Sequence, residues 1–481
     1  MVNRKVIIIG IDSLEPRFVE SLVSKGISRG FTYFYEDGIV LRMQSTFPPD
    51  TVLAWPAIYT GLIPQRFGLE PEPESILEMK IKSLYVRSQL KGRTFWDFVS
   101  KRNKRVCVIN PIFAYPPWRV NGIMVSGPSF GLEGKPLSVP QRSEIKNYRL
   151  GTYGKTPLLV HEYKETFREA QAQLLDVFRL TKTLLNEENY NLVFTADYTL
   201  DRIQHYFWRF DDRDDLNYPK LINLYKGYIK EYYRLLDRLI KYFIEKYSDE
   251  YTIIVLGDHG HSRRPVKLLS IEKILNSKMN QSDMKKIFKD LMYLFAYYSG
   301  IDVYIYKVIR YMQSKGKLGR MLLKIEEERN EFENTDLIKT LKQFGLKEYV
   351  GIRINSTSLD VKTKFKKIVS ETLHKLGILD FAMSPEEFYG VEGVDYGADL
   401  YIKLRDFGNN PEPDSFLILP NFTKRIISGG HAMYTLFMVY PNKDITLKSR
   451  KIKVQDVAPT ILSFLGLDNN FRAAFDGVSL L

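Results

Sequence analysis

The stretch Asp258-His259-Gly260-His261 follows the apolar run "YTIIVLG", so one carboxylate and two imidazoles emerge where a strand pattern meets a loop. Aspartate and histidine are the hard and borderline ligands that a divalent cation takes. Read alone, the same residues also make a polar turn with Asp258 as a helix cap. Asp201 and His205 in "DYTLDRIQHYFW" lie four residues apart. On a helix that spacing puts both side chains on one face, within reach of one ion, although it also serves an ordinary surface pair. Asp12 ends the apolar run "KVIIIGID", and His431 follows two glycines in "ISGGHAMYTLFMVYP". Glycines there allow close backbone approach. Thr51 follows two prolines and an aspartate in "FPPDTVLAWPAIYTG". The prolines make a rigid approach to a helix start, whose backbone N–H groups can face a phosphate. Pro56 favours a helix that begins nearer Ala54, or one distorted there. Together these places supply three aspartates, three histidines besides His261, and a hydroxyl, the inventory of a two-metal site with a nucleophile.

Short runs rich in Val, Ile and Leu, "KVIIIGID", "RVCVINP", "NLVFTAD" and "YTIIVLGDHG", have strand length and turn-forming ends. Amphipathic helical patterns separate them, among them "RFVESLVSKG", "TFWDFVSKR" and "YKGYIKEYYRLLDRLIKYFIEKY". This alternation predicts an α/β fold with a mostly parallel central sheet and helices on both faces. Ligands gather at the carboxyl ends of the strands in such sheets, where the aspartates fall. Residues 267–348 turn to charged helical sequence and read as an insertion or cap shaping the substrate entrance. Strand patterns resume in "VGIRIN", "ADLYIKLR" and "LFMVYP", and "VQDVAPTILSFLG" reads as a closing helix. The expected division is a catalytic core over 1–266 and 349–481, with a helical insertion at 267–348.

Lysine and arginine number 70 against 57 acidic residues, a net charge of +13 that would attract phosphate esters, nucleic acid or anionic lipid. The basic residues are dispersed and form no nucleic-acid motif. The apolar stretch "LMYLFAYYSGIDVYIYKVIRYM" is broken by Gly300, Asp302, Lys307 and Arg310, so no transmembrane segment is expected. The start "MVNRKVIIIGID" reads as a first strand, not a signal segment. Cys107, the single cysteine, reads as a small buried side chain, and a cytoplasmic location is expected.

Asp12, then "PPDT", "DRIQHYFW", "LGDHGHS", "GGH" and the closing "DVAPTILSFLG" occur in an order that resembles the alkaline phosphatase superfamily. Within it the chain resembles the type I phosphodiesterase/nucleotide pyrophosphatase family, over Val6 to Val266 and Tyr349 to Leu481. The resemblance implies an alkaline-phosphatase-like core with two divalent metal ions, zinc or, in some branches, manganese. Asp201, His205 and His431 would hold one ion; Asp12, Thr51, Asp258 and His259 would hold the other. It further implies Thr51 as nucleophile, a phospho-threonine intermediate, and a small phosphate-ester substrate such as a nucleotide or another phosphodiester. His261 is left near the site without a role, and His161 and His374 read as structural or surface residues. Two departures stand out: Leu53 occupies a place where the family often has proline, and "FGLEPEPES" has Phe67 in a histidine's place and lacks the family's asparagine. These departures weaken the implication of nucleotide specificity and leave the metal-site residues intact. Cys107 lies far from the nucleophile's place, which rules out a sulfatase. The alternatives are a phosphotransferase or phosphomutase of the same superfamily, and a catalytically silent metal-binding scaffold.

Overall fold

The computed structural model of the chain describes residues 5–69, 76–129, 134–149, 156–157, 159–215, 217–265, 267–269, 271, 340–343, 348–354, 356, 358–409, 419–420, 427–441, 445, 447, 452–467 and 474–481. Its strands begin with β1 (Lys5–Ile11), β2 (Ile39–Gln44), β3 (Val106–Ile109), β4 (Gly122–Val125), β5 (Ser138–Val139) and β6 (Leu192–Asp197). They continue with β7 (Tyr251–Leu256), β8 (Gly260–Arg263), β9 (Lys267–Leu269), β10 (Thr340–Gln343), β11 (Tyr349–Arg353) and β12 (Leu379–Met383). The last are β13 (Leu400–Leu404), β14 (Phe407–Asn409), β15 (Leu419–Pro420), β16 (Gly429–Ala432), β17 (Tyr434–Tyr440) and β18 (Ile452–Lys453). Among the described residues, eight α-helices lie before β7: α1 (Pro16–Ser24), α2 (Gly30–Asp37), α3 (Thr51–Thr60), α4 (Ile76–Leu90), α5 (Phe95–Lys101), α6 (Val160–Glu187), α7 (Thr199–Asp211) and α8 (Tyr228–Tyr247).

Nine strands form one sheet in the order β18-β2-β17-β7-β1-β6-β3-β4-β5. Its centre, β7-β1-β6-β3-β4, is parallel throughout, while β17 runs antiparallel between β2 and β7. The central strands are continuous apolar runs because both of their faces are covered; β6 and β7 are buried along their whole length. Side chains alternate across the sheet. Val6 and Ile8 of β1 pack into a cluster with Trp55, Tyr59 and Trp96 from α3 and α5, beside the helix Val457–Phe464. α1, α2, α6 and α8 cover the other face. The sequence thus forecast the architecture: a mostly parallel α/β sheet between helical layers.

The chain divides into two compact units, Met1–Arg263 with Gly429–Leu481, and Arg264–Ser428. The second unit contains a four-stranded antiparallel sheet, β10-β11-β13-β12, and a small sheet, β14-β9-β15. The helix Leu359–Lys375 places Val369 and Leu373 against Val350, Ile352 and Ile402 of that sheet. The strands predicted in "VGIRIN" and "ADLYIKLR" therefore form, but in the second unit, whereas the sequence reading grouped them with the core. They pair with each other and share an apolar cluster of their own. Residues 272–339, most of the expected helical insertion, lie outside the described residues.

Helix α2 shows how side chains fix the layer beneath the site. Its N-cap, Arg29, makes no side-chain cap. Asp237 of α8 takes that place, accepting the backbone N–H groups of Phe31 at 2.8 Å and Arg29 at 3.0 Å. Asp237→Ala removes the acceptor of the Arg29 N–H and of the Ser28 hydroxyl and leaves the Phe31 N–H only Ser28 Oγ at 3.1 Å, and stability is expected to fall by about 1–2 kcal/mol. A urea midpoint that drops with unchanged slope is the reading that checks it.

Candidate metal centre

The sheet's carboxyl edge brings the polar residues together. Asp12 extends the parallel ladder by one residue, its N–H donating to the Asp197 carbonyl at 2.8 Å. Asp258 follows β7, and its Oδ1 accepts the N–H groups of Ser13 at 3.0 Å and His259 at 2.9 Å. Asp201 stands in the first turn of α7 and His205 one turn later, their side chains 3.2 Å apart. Helix α3 begins at Thr51, earlier than Pro56 suggested. The Asp50 side chain caps it by accepting the Val52 N–H at 2.8 Å, and that is enough to start the helix ahead of the proline. His431, expected only to precede a strand, lies on one: β16 pairs antiparallel with β8 and sets His431 opposite His261.

Seven of these side chains converge. Thr51 Oγ1 donates to Asp12 Oδ1 at 3.3 Å and lies 3.2 Å from His259 Nε2. His259 Nε2 is 3.5 Å from Asp12 Oδ1 and 3.4 Å from Asp258 Oδ2. His205 Nε2 is 3.0 Å from His431 Nε2, which is 3.4 Å from Asp201 Oδ1. The His259 and His431 rings stack with centroids 3.9 Å apart, joining the two halves of the cluster. Two sets of ligand atoms lie close enough to share an ion: Asp12, Asp258 and His259, and Asp201, His259 and His431.

The donor set fits divalent cations. Each of three histidines has Nδ1 against a backbone carbonyl: His205 with Gly429 at 2.9 Å, His259 with Gly260 at 3.0 Å, His431 with Pro49 at 2.8 Å. A carbonyl only accepts, so Nδ1 carries the hydrogen and Nε2 turns a lone pair into the cluster, the arrangement that presents imidazole to a metal. Two such lone pairs 3.0 Å apart, on His205 and His431, repel unless a cation or proton lies between them. Asp201 Oδ1 and Asp258 Oδ2 are buried with no hydrogen-bond partner among the described residues.

Residues 6–367 match the family model of type I phosphodiesterase / nucleotide pyrophosphatase. The chain belongs to this family. It is therefore an enzyme of the hydrolase class that acts on phosphoric ester bonds. The chain is similar in structure to phosphonoacetate hydrolase from Sinorhizobium meliloti 1021 in complex with phosphonoformate. The TM-score is 0.51 and the identity 12%, over 97% of this chain and 96% of that one. Murine ectonucleotide pyrophosphatase / phosphodiesterase 5 matches with TM-score 0.44 and 11% identity, over 96% of this chain and 95% of that one. At such identities the likeness to the hydrolase concerns the fold. Comparison with curated protein sequences gives no match.

Without metal, the buried carboxylates and imidazoles hold protons among themselves. Burial, then the charges of Asp258 and Asp201, lift the Asp12 carboxyl well above the usual range. Burial likewise pushes Asp258 up to about 8. Burial alone would also raise Asp201, but His205 and His431 outweigh it and hold it well below the usual range. Burial alone would lower His431, but the attraction of Asp201, 3.4 Å away, outweighs it and raises the imidazole to about 9. His259 is held low, by burial first and then by His431. A divalent ion displaces such protons on binding. Between the ordinary values and about 8 for Asp258 and 9 for His431, the folded metal-free protein binds more protons than the unfolded chain. Its stability therefore falls as pH rises through that window. The expected result is a melting temperature of chelator-treated protein that drops from about pH 6.5 to 9, a dependence that saturating metal removes.

Sequence reasoning left His261 without a role and missed Ser13, Glu15 and Gln204. All four are buried beside the cluster. Only the position of Gln204, between Asp201 and His205, was a signal. His161 and His374 are exposed on helices, and Leu53 and Phe67 are core residues. No helix among the described residues is long and apolar enough to cross a membrane.

Proposed function

We propose that the chain is a divalent-metal-dependent phosphodiesterase or nucleotide pyrophosphatase in which Thr51 is the nucleophile. The observation that carries this reading is the Thr51 hydroxyl, buried at the first residue of α3 and 3.2–3.3 Å from His259 and Asp12. Asp201, His205 and His431 hold one ion; Asp12, Asp258, His259 and Thr51 hold the other. Zinc suits the mixed imidazole and carboxylate donors, with manganese as the alternative. When bound, the ions favour the alkoxide form of the threonine and offset charge on the phosphoryl oxygens.

The chain's own residues do the rest. Asp12 Oδ1 orients the Thr51 hydroxyl, and the Trp55 indole N–H, 3.3 Å from Asp12 Oδ2, fixes that carboxylate. The positive end of α3 faces the incoming phosphoryl group. Thr51 Oγ1 forms a bond to phosphorus as the ester oxygen leaves with its electron pair. Water then cleaves the phospho-threonine and restores the hydroxyl. Substrates are nucleotides or other phosphodiesters. A lone Cys107 buried in β3 suits a reducing, cytoplasmic setting.

The test is hydrolysis of an aryl phosphodiester by metal-free protein titrated with zinc or manganese. Turnover is expected to rise until about two equivalents are bound. No turnover with either metal, on a protein shown to be folded, would sink the proposal.

A further inference from the structure

Ser13, one residue past Asp12, is fully buried with φ at +67°, in the left-handed region that favours glycine. Each of its polar groups is engaged. The backbone N–H donates to Asp258 Oδ1 at 3.0 Å, and the carbonyl accepts from Gln204 Nε2 at 2.7 Å. The hydroxyl lies 2.7 Å from His261 Nδ1 and donates to the Gly260 carbonyl at 3.2 Å.

The His261 backbone is clamped as well. Glu15 Oε2 accepts its N–H at 2.9 Å, and Arg17 Nη2 donates to its carbonyl at 3.1 Å. Glu15 and Arg17 are themselves paired at 2.6 Å. On the ring, Nε2 lies against Gly429, where an added Cβ would stand 2.3 Å away, and it has no hydrogen-bond partner among the described residues. Nδ1 instead faces two oxygens, Ser13 Oγ and, at 3.6 Å, Asp201 Oδ1. The ring hydrogen therefore belongs on Nδ1, since on Nε2 it would be a buried unpaired donor. Ser13 Oγ accepts it and passes its own hydrogen to Gly260.

Ser13 thus holds Asp258 by a backbone hydrogen bond and the His261 ring by its hydroxyl, and that ring packs beside Asp201, Nδ1 lying 3.6 Å from Oδ1, in contact but beyond hydrogen-bond reach. We infer that Ser13 and His261 are positioning residues that set the Asp201 carboxylate relative to Asp258, so that filling one metal position prepares the other. This rests on the reading of Asp201 and Asp258 as ligands to separate ions. Histidines and carboxylates that hold metal ligands from behind commonly change metal affinity about 10- to 100-fold when removed.

The experiment is calorimetric titration of manganese(II) into the metal-free full chain. Ser13→Gly keeps the N–H to Asp258 and fits the backbone angle, while deleting the hydroxyl. Its metal-free melting temperature is expected to stay within a few degrees of wild type, since relief of the positive φ offsets part of the lost hydrogen bond to His261, and its affinity for the second equivalent to fall about 10-fold or more. His261→Leu should lose a similar factor. His261→Asn, whose amide can donate where Nδ1 did, should stay within about 3-fold of wild type. The double variant S13G/H261L should be no weaker than the weaker single variant, because both break one connection. Unchanged second-site affinity in Ser13→Gly, or losses that multiply in the double variant, would overturn the inference. Wild-type protein that binds no manganese would overturn the metal-centre reading beneath it. Ser13→Gly carries the test alone where a His261 variant does not fold.

Discussion

Thr51→Ala is expected to lower phosphodiester turnover by about 10⁴-fold or more, roughly 5.5 kcal/mol of transition-state stabilisation. The fold should survive, because the side chain gives up only its contacts of 3.3 Å to Asp12 and 3.2 Å to His259, and α3 keeps its Asp50 cap. Three carboxylates and three histidines also stay in place, so metal content should remain near wild type. That separation is what distinguishes a nucleophile from a structural hydroxyl: loss of kcat without loss of folding or metal. Thr51→Ser, which restores an oxygen on a smaller side chain, should recover most of the rate. Purified Thr51→Ala that retains more than about a tenth of wild-type kcat would place the chemistry elsewhere.

Stripping the metals is the second large effect. Turnover should fall to background, and the melting temperature should drop by roughly 5–10 °C relative to protein with metal about 1,000-fold above its dissociation constant. The cause lies in the site itself. Asp12, Asp201 and Asp258 are buried side by side, and Asp201 Oδ1 and Asp258 Oδ2 lack hydrogen-bond partners among the described residues. Their burial is costly without a cation. Differential scanning calorimetry before and after chelation, at one fixed pH, measures it. Equal melting temperatures in the two states would mean that the cluster holds no ion of consequence.

The fold was legible because its signals are strong and local. "KVIIIGID", "NLVFTAD" and "YTIIVLG" could be read as buried parallel strands from their composition, and the strand ends then located Asp12 and Asp258. Asp201 and His205 were legible from helical spacing only together with the strand "NLVFTAD" just before them, which put the pair at the same sheet edge. His431 and Thr51 were different: only the order of motifs and the family resemblance connected them to the other residues. No periodicity shows that β16 folds back on β8, and the Asp50 cap defeats the disfavour that Pro56 seems to impose on an early helix start. The roles of Ser13 and His261 were invisible for a further reason. They depend on a positive φ, a ring orientation and the missing side chain of Gly429, which become facts only when the β1, β7 and β16 ends meet. The boundary of the second unit was obscured because β11 and β13 have the same apolar strand character as the core strands.

The steric course of the reaction at phosphorus tests the central claim most directly. A phosphorothioate diester, chiral at phosphorus, is hydrolysed in isotopically labelled water and the configuration of the product determined. Attack by Thr51 followed by attack by water makes two in-line displacements, each inverting, so net retention is expected. Net inversion would mean a single displacement by water and would contradict the account.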